Sequence, residues 1–341
     1  MSVFISGANG YLAQHIVSLL LSEHYKVIGS VRSQERADEL SKQFNDPNLS
    51  LVVVGDISDL NAFDKTFQTY GKDIKYVLHT ASPFHYNVTD VEKDLLKPAF
   101  NGTVGILQSI QRYAADTVER VVITSSYAAV VDPARAQDES VVFNEDSWNP
   151  GEWGQGEQSA RNGYRASKKI AEEAAWKFLE ENGDKVKFKL TTVNPVLIFG
   201  PQAFSNAVTE RLNTSCEILN LLIHLPKNSE VPMIGGRFVD VRDVAKAHLL
   251  AFQREETAGQ RLLMVESSFN SHDILKYLRA DFPILRDKLP ESNPMCCIEG
   301  MELGARVDNT RTRKLLGFKF IQLRQSVRDT CRQILECEGK L

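Results

Sequence analysis

The sequence is poor in cysteine, and its five thiols follow no recognisable pattern. The number is odd, no two cysteines form a C-x-x-C pair, and all lie at positions 216, 296, 297, 331 and 337. This usage argues against a disulfide framework and indicates reduced, buried thiols of a cytosolic protein. The seven histidines are scattered without the spacing of a ligand set, so no metal site is expected.

Long apolar runs and an excess of basic residues are also missing. No stretch approaches the roughly 18 apolar residues that a membrane-spanning helix requires. The 40 Lys and Arg residues against 44 Asp and Glu residues leave a net charge of −4. We therefore expect neither a membrane protein nor a nucleic-acid-binding surface. Because the first strand is expected to begin at Val3, no signal or transit peptide is expected, and a cytoplasmic location is predicted.

What the chain does contain is a regular alternation of apolar and amphipathic segments up to about residue 195. Near-continuous apolar runs such as RVVITSS are typical of strands that are buried on both faces of a parallel sheet. The alternation predicts a doubly wound α/β domain of the Rossmann type, followed by a smaller, mostly helical C-terminal lobe. After about residue 265 the pattern predicts mostly short helices and turns. The strand candidates are 2–6, 26–31, 50–54, 75–80, 119–124 and 188–193.

The first strand candidate runs directly into a glycine-rich turn, SGANG, and then into a helical pattern. The turn has the spacing G-x-x-G-x-x-A, in which Gly7 turns the chain, Gly10 lets the backbone approach a pyrophosphate, and Ala13 lets the helix lie close to the sheet. The positive end of the helix favours phosphate groups at the same place. The turn therefore predicts a dinucleotide site. Further candidate cofactor contacts in this turn are Asn9, Tyr11 and Leu12.

The end of the second strand candidate indicates which dinucleotide is bound. An NAD site usually places Asp or Glu about 20 residues after the glycines, where it holds the ribose 2′-hydroxyl. Here Arg32 and Arg36 occupy that region, and no acidic residue precedes them at the strand end. Two guanidinium groups suit a 2′-phosphate, although a solvated surface pair is the alternative. The predicted cofactor is NADPH/NADP⁺.

Tyr164 and Lys168 lie four residues apart in the run YRASKKIAEEAAWKFLEEN, which has the composition and apolar spacing of an amphipathic helix. Residues at this spacing are neighbours on one helix face. A fixed positive charge favours ionisation of a phenol, whose unperturbed pKa is about 10. Tyr164 could then give a proton to a carbonyl oxygen during hydride transfer. An exposed Tyr and Lys on a helix face is the alternative if the pair stands alone.

Taken together, the motifs resemble those of the extended short-chain dehydrogenases, and among them the dihydroflavonol-reductase-like branch. The resemblance implies an NADPH-dependent reductase of small aldehydes and α-dicarbonyls, including methylglyoxal and 3-methylbutanal, and of bulkier ketones. It runs nearly end to end and includes SGANGYLAQHI, HTASPF, RVVITSSYAAV, FNEDSWNP, TTVNPVLIFGPQ, LNTSCEILN and FVDVRDVAKAHLLAFQ.

The resemblance also implies roles for the catalytic residues. Ser126 would orient the substrate carbonyl, Tyr164 would donate the proton, and Lys168 would lower the pKa of Tyr164 and bond the nicotinamide ribose. Ser125 is expected to be structural, because neighbouring strand residues face opposite ways. Asn101 is the candidate for the proton-relay asparagine of the family, although its surroundings, NGTVG, differ from the usual N-V-x-G-T.

For the cofactor, the resemblance implies that Asp56 contacts the adenine amine and that Ile57 packs against the ring. The small side chains of Ala81 and Ser82 would leave room for the adenosine part. Ile198 and Ser215 match positions that touch the nicotinamide half in similar reductases.

The substrate pocket is less well defined by the sequence. Phe84 and Tyr127 are candidates for its apolar walls, and core packing is the alternative for both. His85 is expected on the surface rather than in the pocket. The polar loop 151–162 and Arg165, where similar enzymes have a small residue or Cys, depart from the family pattern near the expected pocket mouth.

We expect the cofactor domain to comprise residues 1–195 and 236–265, and the substrate lobe to comprise 196–235 and 266–341. The expected partner is a small carbonyl substrate, and the protein is expected to be a monomer or a homodimer. Two other functions are considered. A nucleotide-sugar epimerase or dehydratase would retain NAD, which Arg32 and Arg36 argue against. A non-catalytic NADP sensor would have no need for Ser126, Tyr164 and Lys168 together.

Overall fold

The computed structural model describes residues 1–82, 88–154, 159–298 and 304–341. The strands are β1 (Ser2–Ser6), β2 (Lys26–Val31), β3 (Leu49–Val53), β4 (Ile74–His79), β5 (Arg120–Thr124), β6 (Val142–Phe143), β7 (Lys189–Pro195), β8 (Leu197–Phe199), β9 (Gly235–Asp240), β10 (Arg261–Met264), β11 (Ser267–Asn270) and β12 (Arg306–Val307). The α-helices are α1 (Tyr11–Ser22), α2 (Gln34–Phe44), α3 (Asp64–Tyr70), α4 (Lys97–Tyr113), α5 (Ala160–Asn182), α6 (Thr214–Ile223), α7 (Val241–Gln253), α8 (Ser271–Asp281), α9 (Pro283–Arg286), α10 (Thr310–Leu316) and α11 (Leu323–Cys337).

Seven of the described strands form one parallel sheet in the order β10–β7–β5–β4–β1–β2–β3. The order reverses between β1 and β4, because the chain winds outward from β1 through β2 and β3, and then outward in the other direction from β4. In open parallel sheets, ligands bind at such a switch point, outside the carboxyl ends of the strands. The doubly wound α/β class predicted from the sequence is confirmed, and each of the six strand candidates begins within one residue of an observed strand.

Both faces of this sheet are covered by helices, as the continuous apolar strands require. Along β1, Val3 and Ile5 pack with α1 and α7, whereas Phe4 points to the opposite face and packs with α3, α4 and α5. Phe4 contacts the rings of Phe63 and Phe67 there, with centroids 6.1 and 5.3 Å away. Alternate residues of the same strand therefore supply two separate cores.

A smaller core lies beneath a three-stranded sheet of β8, β9 and β11. Helices α6, α8 and α11 pack against it around the rings of Phe199, Phe238 and Phe269. The sequence predicted mostly short helices and turns here, but α8 has 11 residues and α11 has 15. The added order comes from tertiary burial of their apolar faces, and a capping box of Asn270 and Asp273 begins α8.

The predicted division of the chain between two domains stays a prediction. Within the segment 236–265 that we assigned to the larger domain, β10 joins the seven-stranded sheet and α7 packs on it. Strand β9, however, pairs with β8 and β11 in the smaller sheet. The chain therefore passes between the two sheets at the junction of β9 and α7.

That junction is held by charge pairing. The sequence offers Asp240 and Asp243 as possible caps of α7. Asp240 is the N-cap, and it accepts from the backbone N–H of Arg242 at 2.9 Å. The Arg242 guanidinium bonds Asp240 at 2.8 Å and reaches Asp329 of α11 at 2.9 Å. Because α7 packs on the large sheet and α11 on the small one, this arginine ties the two parts together.

The cysteines remain free thiols, but they are not all buried. Cys216 and Cys331 are buried, Cys296 and Cys297 are half-buried, and Cys337 is exposed. The expectation of buried thiols is therefore wrong for three of the five positions. Among the described residues, no helix is both long and apolar enough to cross a bilayer.

His248 on α7 is fully buried and forms two hydrogen bonds. Its Nδ1 lies 2.8 Å from the carbonyl oxygen of Val244, and its Nε2 lies 2.7 Å from Thr124 Oγ1. Burial lowers the pKa of His248 from 6.5 to about 4. In that pH interval the unfolded chain takes up a proton at this position, and the folded chain does not.

We therefore predict that the free energy of unfolding falls as pH drops from 6.5 toward 4, because only the unfolded chain is protonated at His248. One such group contributes a slope of about 1.4 kcal/mol per pH unit. His248→Gln cannot titrate, so urea denaturation of this variant at several pH values should give a shallower pH dependence than the unmodified protein. His24→Asn, at an exposed turn with φ 60°, should keep the original slope. Identical slopes for His248→Gln and the unmodified protein would contradict the prediction.

Candidate active site

The turn between β1 and α1 has the geometry that phosphate binding requires. Gly7 adopts φ +67°, which side chains rarely allow, and a Cβ there would lie 3.1 Å from Ala81. Gly10 is the N-cap of α1, and its N–H donates to the carbonyl of Gly7 at 2.9 Å. No side chain of the described residues caps this helix. The N–H groups of its first turn and its positive dipole end are therefore available to an anion.

Ser6 holds the turn against the end of β4. Its hydroxyl oxygen accepts from the backbone N–H groups of Thr80 and Ala81, both at 3.0 Å, and it also lies 2.9 Å from His79 Nδ1. Thr80 in turn donates its hydroxyl to the carbonyl of Ser6. These bonds fix Ala81 beside Gly7 at the switch point of the sheet.

A cleft of about 560 Å³ opens at this point. Seven residues that the sequence proposed for the cofactor line it: Gly7, Asn9, Gly10, Arg32, Arg36, Ile57 and Ala81. Three further polar residues line the cleft and were not predicted from the sequence: Ser30, Ser33 and Thr80. Their positions at or just after the carboxyl ends of β2 and β4 are a signal that could have identified them, since those strand ends meet at one edge of the sheet.

The two arginines lie at the outer end of the cleft, at the start of α2. Both are exposed, and Arg36 pairs with Glu39 at 2.7 Å. Ser33 is the N-cap of α2 and accepts from the N–H of Arg36 at 3.4 Å. Two guanidinium groups thus flank a helix N-terminus, an arrangement that suits a phosphate dianion. None of the described residues that line the cleft is acidic.

Asp56 lies between two cleft residues, Gly55 and Ile57, but its carboxylate is exposed. It accepts from the N–H of Ser58 at 2.9 Å. Hydrogen bonding to Ser58 is the main cause that lowers the pKa of Asp56, and the charge of Arg32 lowers it further. Asp56 is therefore an ionised acceptor at the rim of the cleft.

The side chains of Tyr11 and Leu12 do not line the cleft. Leu12 packs against the core beneath the sheet. The Tyr11 hydroxyl donates to the carbonyl of Gly200 at 2.8 Å, and burial raises the pKa of this phenol well above its usual value. Tyr11 thus connects α1 to the chain that leads into the smaller lobe, which leaves only the backbone of these two residues for a cofactor contact.

Ile198 and Ser215 come from the smaller lobe and lie close to each other. Ile198 is half-buried on β8, and Ser215 is in the first turn of α6. The neighbouring thiol of Cys216 contacts the carbonyls of Ile198 and Gly200, at 3.9 and 3.4 Å. The N-terminus of α6 is therefore placed beside the end of β8.

Tyr164 and Lys168 both lie on α5, as predicted. The predicted loop 151–162 is wrong at its end, because Ser159 caps the helix by accepting from Asn162 N–H, so that α5 begins at Ala160. Tyr164 is half-buried, whereas Lys168 is only 9% exposed. Burial lowers the pKa of Lys168 to about 8, and the negative charge of Glu172 opposes that shift. No described side chain forms a hydrogen bond with its ammonium group.

Ser125 and Ser126 point in different directions, as expected. The Ser125 hydroxyl is buried and donates to Glu172 at 2.5 Å. Ser126 is half-buried and begins a short 3₁₀ turn, where its hydroxyl oxygen accepts from the N–H of Ala128 at 3.1 Å. Because the oxygen of Ser126 is the acceptor in that bond, its proton is left to donate elsewhere.

A small cavity beside Lys168 adjoins the cleft at the switch point. It is lined by Lys168 and Ser125, and also by Ala81 and Ser82, which line the cleft as well. Helix α5 also packs against the 3₁₀ turn that follows Ser126. Lys168 therefore lies beside the carboxyl end of β5, which Ser126 follows, and Tyr164 precedes Lys168 by one turn of α5. Their joint catalytic role stays a prediction.

His79 also lines the small cavity, and the sequence analysis did not propose it. It is fully buried, and burial, together with a smaller effect of the Lys168 charge, lowers the pKa of His79 to about 3. His79 is thus a neutral neighbour of Lys168, bonded to Ser6.

The remaining described candidates, Asn101 and Tyr127, do not line the cavity beside Lys168. The Asn101 amide donates to the carbonyl of Ser58 at 2.8 Å. Tyr127 is half-buried, with the Arg237 guanidinium 5.7 Å from the centre of its ring. Phe84 and His85 lie outside the described residues. Where the structure describes the chain, no group of three His, Cys, Asp or Glu side chains could hold a metal ion.

Comparisons with known proteins identify the family of this chain. The family model described as the NAD dependent epimerase/dehydratase family matches residues 3–264. The chain is 57% identical over 342 residues to the NADPH-dependent methylglyoxal reductase GRE2 of Saccharomyces cerevisiae, and the match covers 100% of both chains.

Solved structures show the same relationship. The crystal structure of yeast methylglyoxal/isovaleraldehyde reductase Gre2 complexed with NADPH matches with a TM-score of 0.97 at 57% identity, over 100% of both chains. The structure of Gre2 in complex with NADPH from Candida albicans matches with a TM-score of 0.95 at 45% identity, over 99% of both chains. The chain therefore belongs to the NAD dependent epimerase/dehydratase family, the extended short-chain dehydrogenases that its motifs resemble.

Proposed function

We propose that this protein is an NADPH-dependent carbonyl reductase that reduces small aldehydes and α-dicarbonyls. The observation that carries the proposal is the position of Lys168. Its buried ammonium group forms no hydrogen bond with a described side chain and follows Tyr164 by one helical turn. It borders a cavity that shares Ala81 and Ser82 with the nucleotide cleft. A buried cation is costly unless a partner or a ligand compensates it, and a dinucleotide ribose would provide such a partner.

The residues present fit NADPH. The backbone cradle at Gly7 and Gly10 would hold the pyrophosphate at the start of α1, because a side chain at Gly7 would fill the space next to Ala81. Arg32 and Arg36 would hold the 2′-phosphate, with help from the N-terminus of α2. The NADPH complexes of the two fungal relatives support this assignment.

At the adenine end, Ile57 lines the cleft and would pack against the ring, and the exposed carboxylate of Asp56 would accept from the adenine amine. At the other end, Ile198 and Ser215 would lie near the nicotinamide. NADPH, when bound, supplies the hydride for the reduction.

Side chains of the protein orient the substrate oxygen and supply the proton. The Ser126 hydroxyl keeps its proton free to donate to the carbonyl oxygen, because its own oxygen accepts from Ala128. The Tyr164 phenol donates its proton to the same oxygen as negative charge develops there. Lys168 favours the ionised phenol through its positive charge, which completes the proton transfer.

The proposed substrates follow from the relatives, which are named for methylglyoxal and isovaleraldehyde. Bulkier ketones are included because Tyr127 is half-buried and would offer an apolar wall. The orientation of the oxygen by Ser126 and Tyr164 would make reduction stereoselective. A cytoplasmic location and a monomeric or homodimeric state complete the proposal and stay predictions.

The reductase assignment is tested by mixing the protein with NADPH and each of four carbonyls: methylglyoxal, 3-methylbutanal, an aryl ketone and a dihydroflavonol. We expect the highest kcat/KM for the two small aldehydes, measured as loss of NADPH absorbance. Turnover of the dihydroflavonol alone would contradict the substrate class and leave the reductase mechanism standing. No turnover of any carbonyl would contradict the proposed function itself.

Tyr164→Phe removes the proton and keeps the ring. General acid catalysis contributes about 10²–10⁴-fold, so we expect kcat to fall by that order while NADPH binding, followed by its fluorescence, stays largely intact. Tyr113→Phe, at an exposed position that ends α4, is the matched control and should keep full activity. A Tyr164→Phe variant with half the original kcat would show that another group donates the proton.

Arg32→Asp should reverse much of the preference for NADPH over NADH. A hydrogen bond to a charged group contributes about 1.5–3 kcal/mol, so its loss should raise the Kd for NADPH by roughly tenfold or more. The new carboxylate would repel a 2′-phosphate and accept from a free ribose hydroxyl. Arg135→Asp changes charge equally at an exposed position outside the cleft and should have no such effect. Equal kcat/KM for both cofactors in the unmodified protein would rule out this reading of Arg32.

A further inference from the structure

Glu172 is a fully buried carboxylate on α5, one turn after Lys168. Its two oxygens accept from donors on three strands or their ends: Ser125 Oγ at 2.5 Å, Asn194 Nδ2 at 2.7 Å, Thr192 Oγ1 at 2.9 Å and Arg261 Nε at 2.6 Å. Trp176 Nε1, on the same helix, lies 3.4 Å away. The carboxylate is thus the common acceptor between α5 and the strands β5, β7 and β10.

Two of these donors are also linked to Ser126. Ser125 is its chain neighbour, and the Asn194 amide that bonds Glu172 also donates to the carbonyl of Ser126 at 3.2 Å. The backbone of Ser126 is therefore connected to Glu172 from both sides, along the chain and across the sheet. Tyr164 and Lys168 are connected to the same carboxylate through the rigid helix α5.

Arg261 supplies the balancing charge on β10. Besides its ion pair with Glu172, its guanidinium donates to the carbonyls of Glu145 and Ser147, at 3.0 and 2.6 Å, and stacks on the ring of Trp148 with a separation of 3.8 Å from the centroid. The arginine is held on several sides, so it keeps the Glu172 carboxylate in one orientation.

We propose that Glu172 is a positioning residue for carbonyl reduction, which sets the placement of Ser126 relative to Tyr164 and Lys168 and maintains the charge of Lys168. The inference rests on the proposed function, because it concerns the same three residues. A structural role alone gives a weaker account, since a buried ion pair contributes little net stability compared with well-packed apolar residues. The arrangement instead specifies one register of α5 against the sheet.

The electrostatic part of the proposal depends on few groups. Within the described residues, the titratable or charged side chains nearest Lys168 and Glu172 are Tyr164 on the same helix, Arg261 from β10 and His79 from β4. The donors from β5 and β7 are neutral. Arg261 pairs with Glu172, and burial holds His79 neutral with its pKa at about 3. The charge of Glu172 raises the pKa of Lys168 against the effect of burial.

The test uses Glu172→Gln, which keeps the shape of the side chain but removes its charge. One carboxylate oxygen is replaced by an NH₂ group, which cannot accept from the surrounding donors. We expect kcat for methylglyoxal to fall by about 10–100-fold, with NADPH affinity at neutral pH changed by less than about threefold. The pH at which NADPH binding weakens on the alkaline side should move down by about one unit, because Lys168 loses its proton more easily. NADPH fluorescence titrations at increasing pH measure this limit without turnover.

Glu173→Gln is the matched control, since Glu173 lies on the same helix but is exposed and pairs only with Lys169 among the described residues. It should leave both kcat and the alkaline limit unchanged. Glu172→Asp keeps the charge, so it should restore the alkaline limit while kcat stays reduced, because the shorter side chain no longer reaches all its donors. A structural role alone would not separate these two readouts.

Unchanged kcat and an unchanged alkaline limit in Glu172→Gln would overturn the proposal. If that variant does not fold, Ser125→Ala tests the proposal instead. It removes the hydrogen bond between Glu172 and the chain neighbour of Ser126, and it leaves the ion pair between Glu172 and Arg261 intact. We expect it to lower kcat at least fivefold without altering NADPH affinity, and an unaltered kcat would overturn the positioning role. If the unmodified protein reduces no carbonyl, the proposed function fails, whereas a shifted alkaline limit in Glu172→Gln would still confirm the link between Glu172 and Lys168.

Discussion

The need to satisfy the buried carboxylate of Glu172 constrains the whole candidate active site. An unpaired carboxylate in the protein interior is costly, so α5 can dock only where donors from the sheet meet it. Those donors stand at the ends of β5, β7 and β10, which fixes both the rotation and the axial position of the helix. Lys168 lies one turn earlier, so the same docking places its ammonium beside the cavity that adjoins the nucleotide cleft.

Charge balance around that helix has a functional consequence. Arg261 neutralises Glu172 at 2.6 Å, and burial keeps His79 uncharged. The positive charge of Lys168 is therefore not consumed by a tight partner within the described residues, and it remains available to a phenol and a ribose. Glu172 thus has its close ion pair with Arg261, and the proposed catalytic role of Lys168 depends on this distribution of two cations and one anion.

The nucleotide cleft depends on backbone geometry more than on side chains. The reversal of strand order between β1 and β4 opens the space, and Ser6 closes the gap between the two strand ends with three hydrogen bonds. Gly7 then lets the chain pass within contact distance of Ala81. Side chains determine the character of the cleft only at its outer end. There Arg32 and Arg36 flank the start of α2 and supply positive charge.

The sequence by itself determined the fold class, the strand positions, the glycine turn, the two arginines and the Tyr164–Lys168 pair. Each of these is encoded locally, by apolar periodicity, by the conformational freedom of glycine or by the four-residue spacing of a helix. Short-range patterns also predicted a helix cap at Asp240 or Asp243, and the structure has Asp240 in that position. They did not predict the length of α8 and α11, because tertiary burial of an apolar face stabilises those helices.

Only the tertiary structure decided which distant residues meet. Ser30 and Thr80 join the cleft because parallel strands end at one edge, and His79 becomes a neutral neighbour of Lys168 because both are buried in the same cavity. The Asn101 amide bonds the carbonyl of Ser58, and the Tyr11 hydroxyl bonds the carbonyl of Gly200. No local sequence pattern predicts either contact, because the partners are distant in the chain. Glu172 appears in the sequence as one more acidic residue of an amphipathic helix. Its role depends on Arg261, 89 residues later in the chain, and only the fold brings the two charges together.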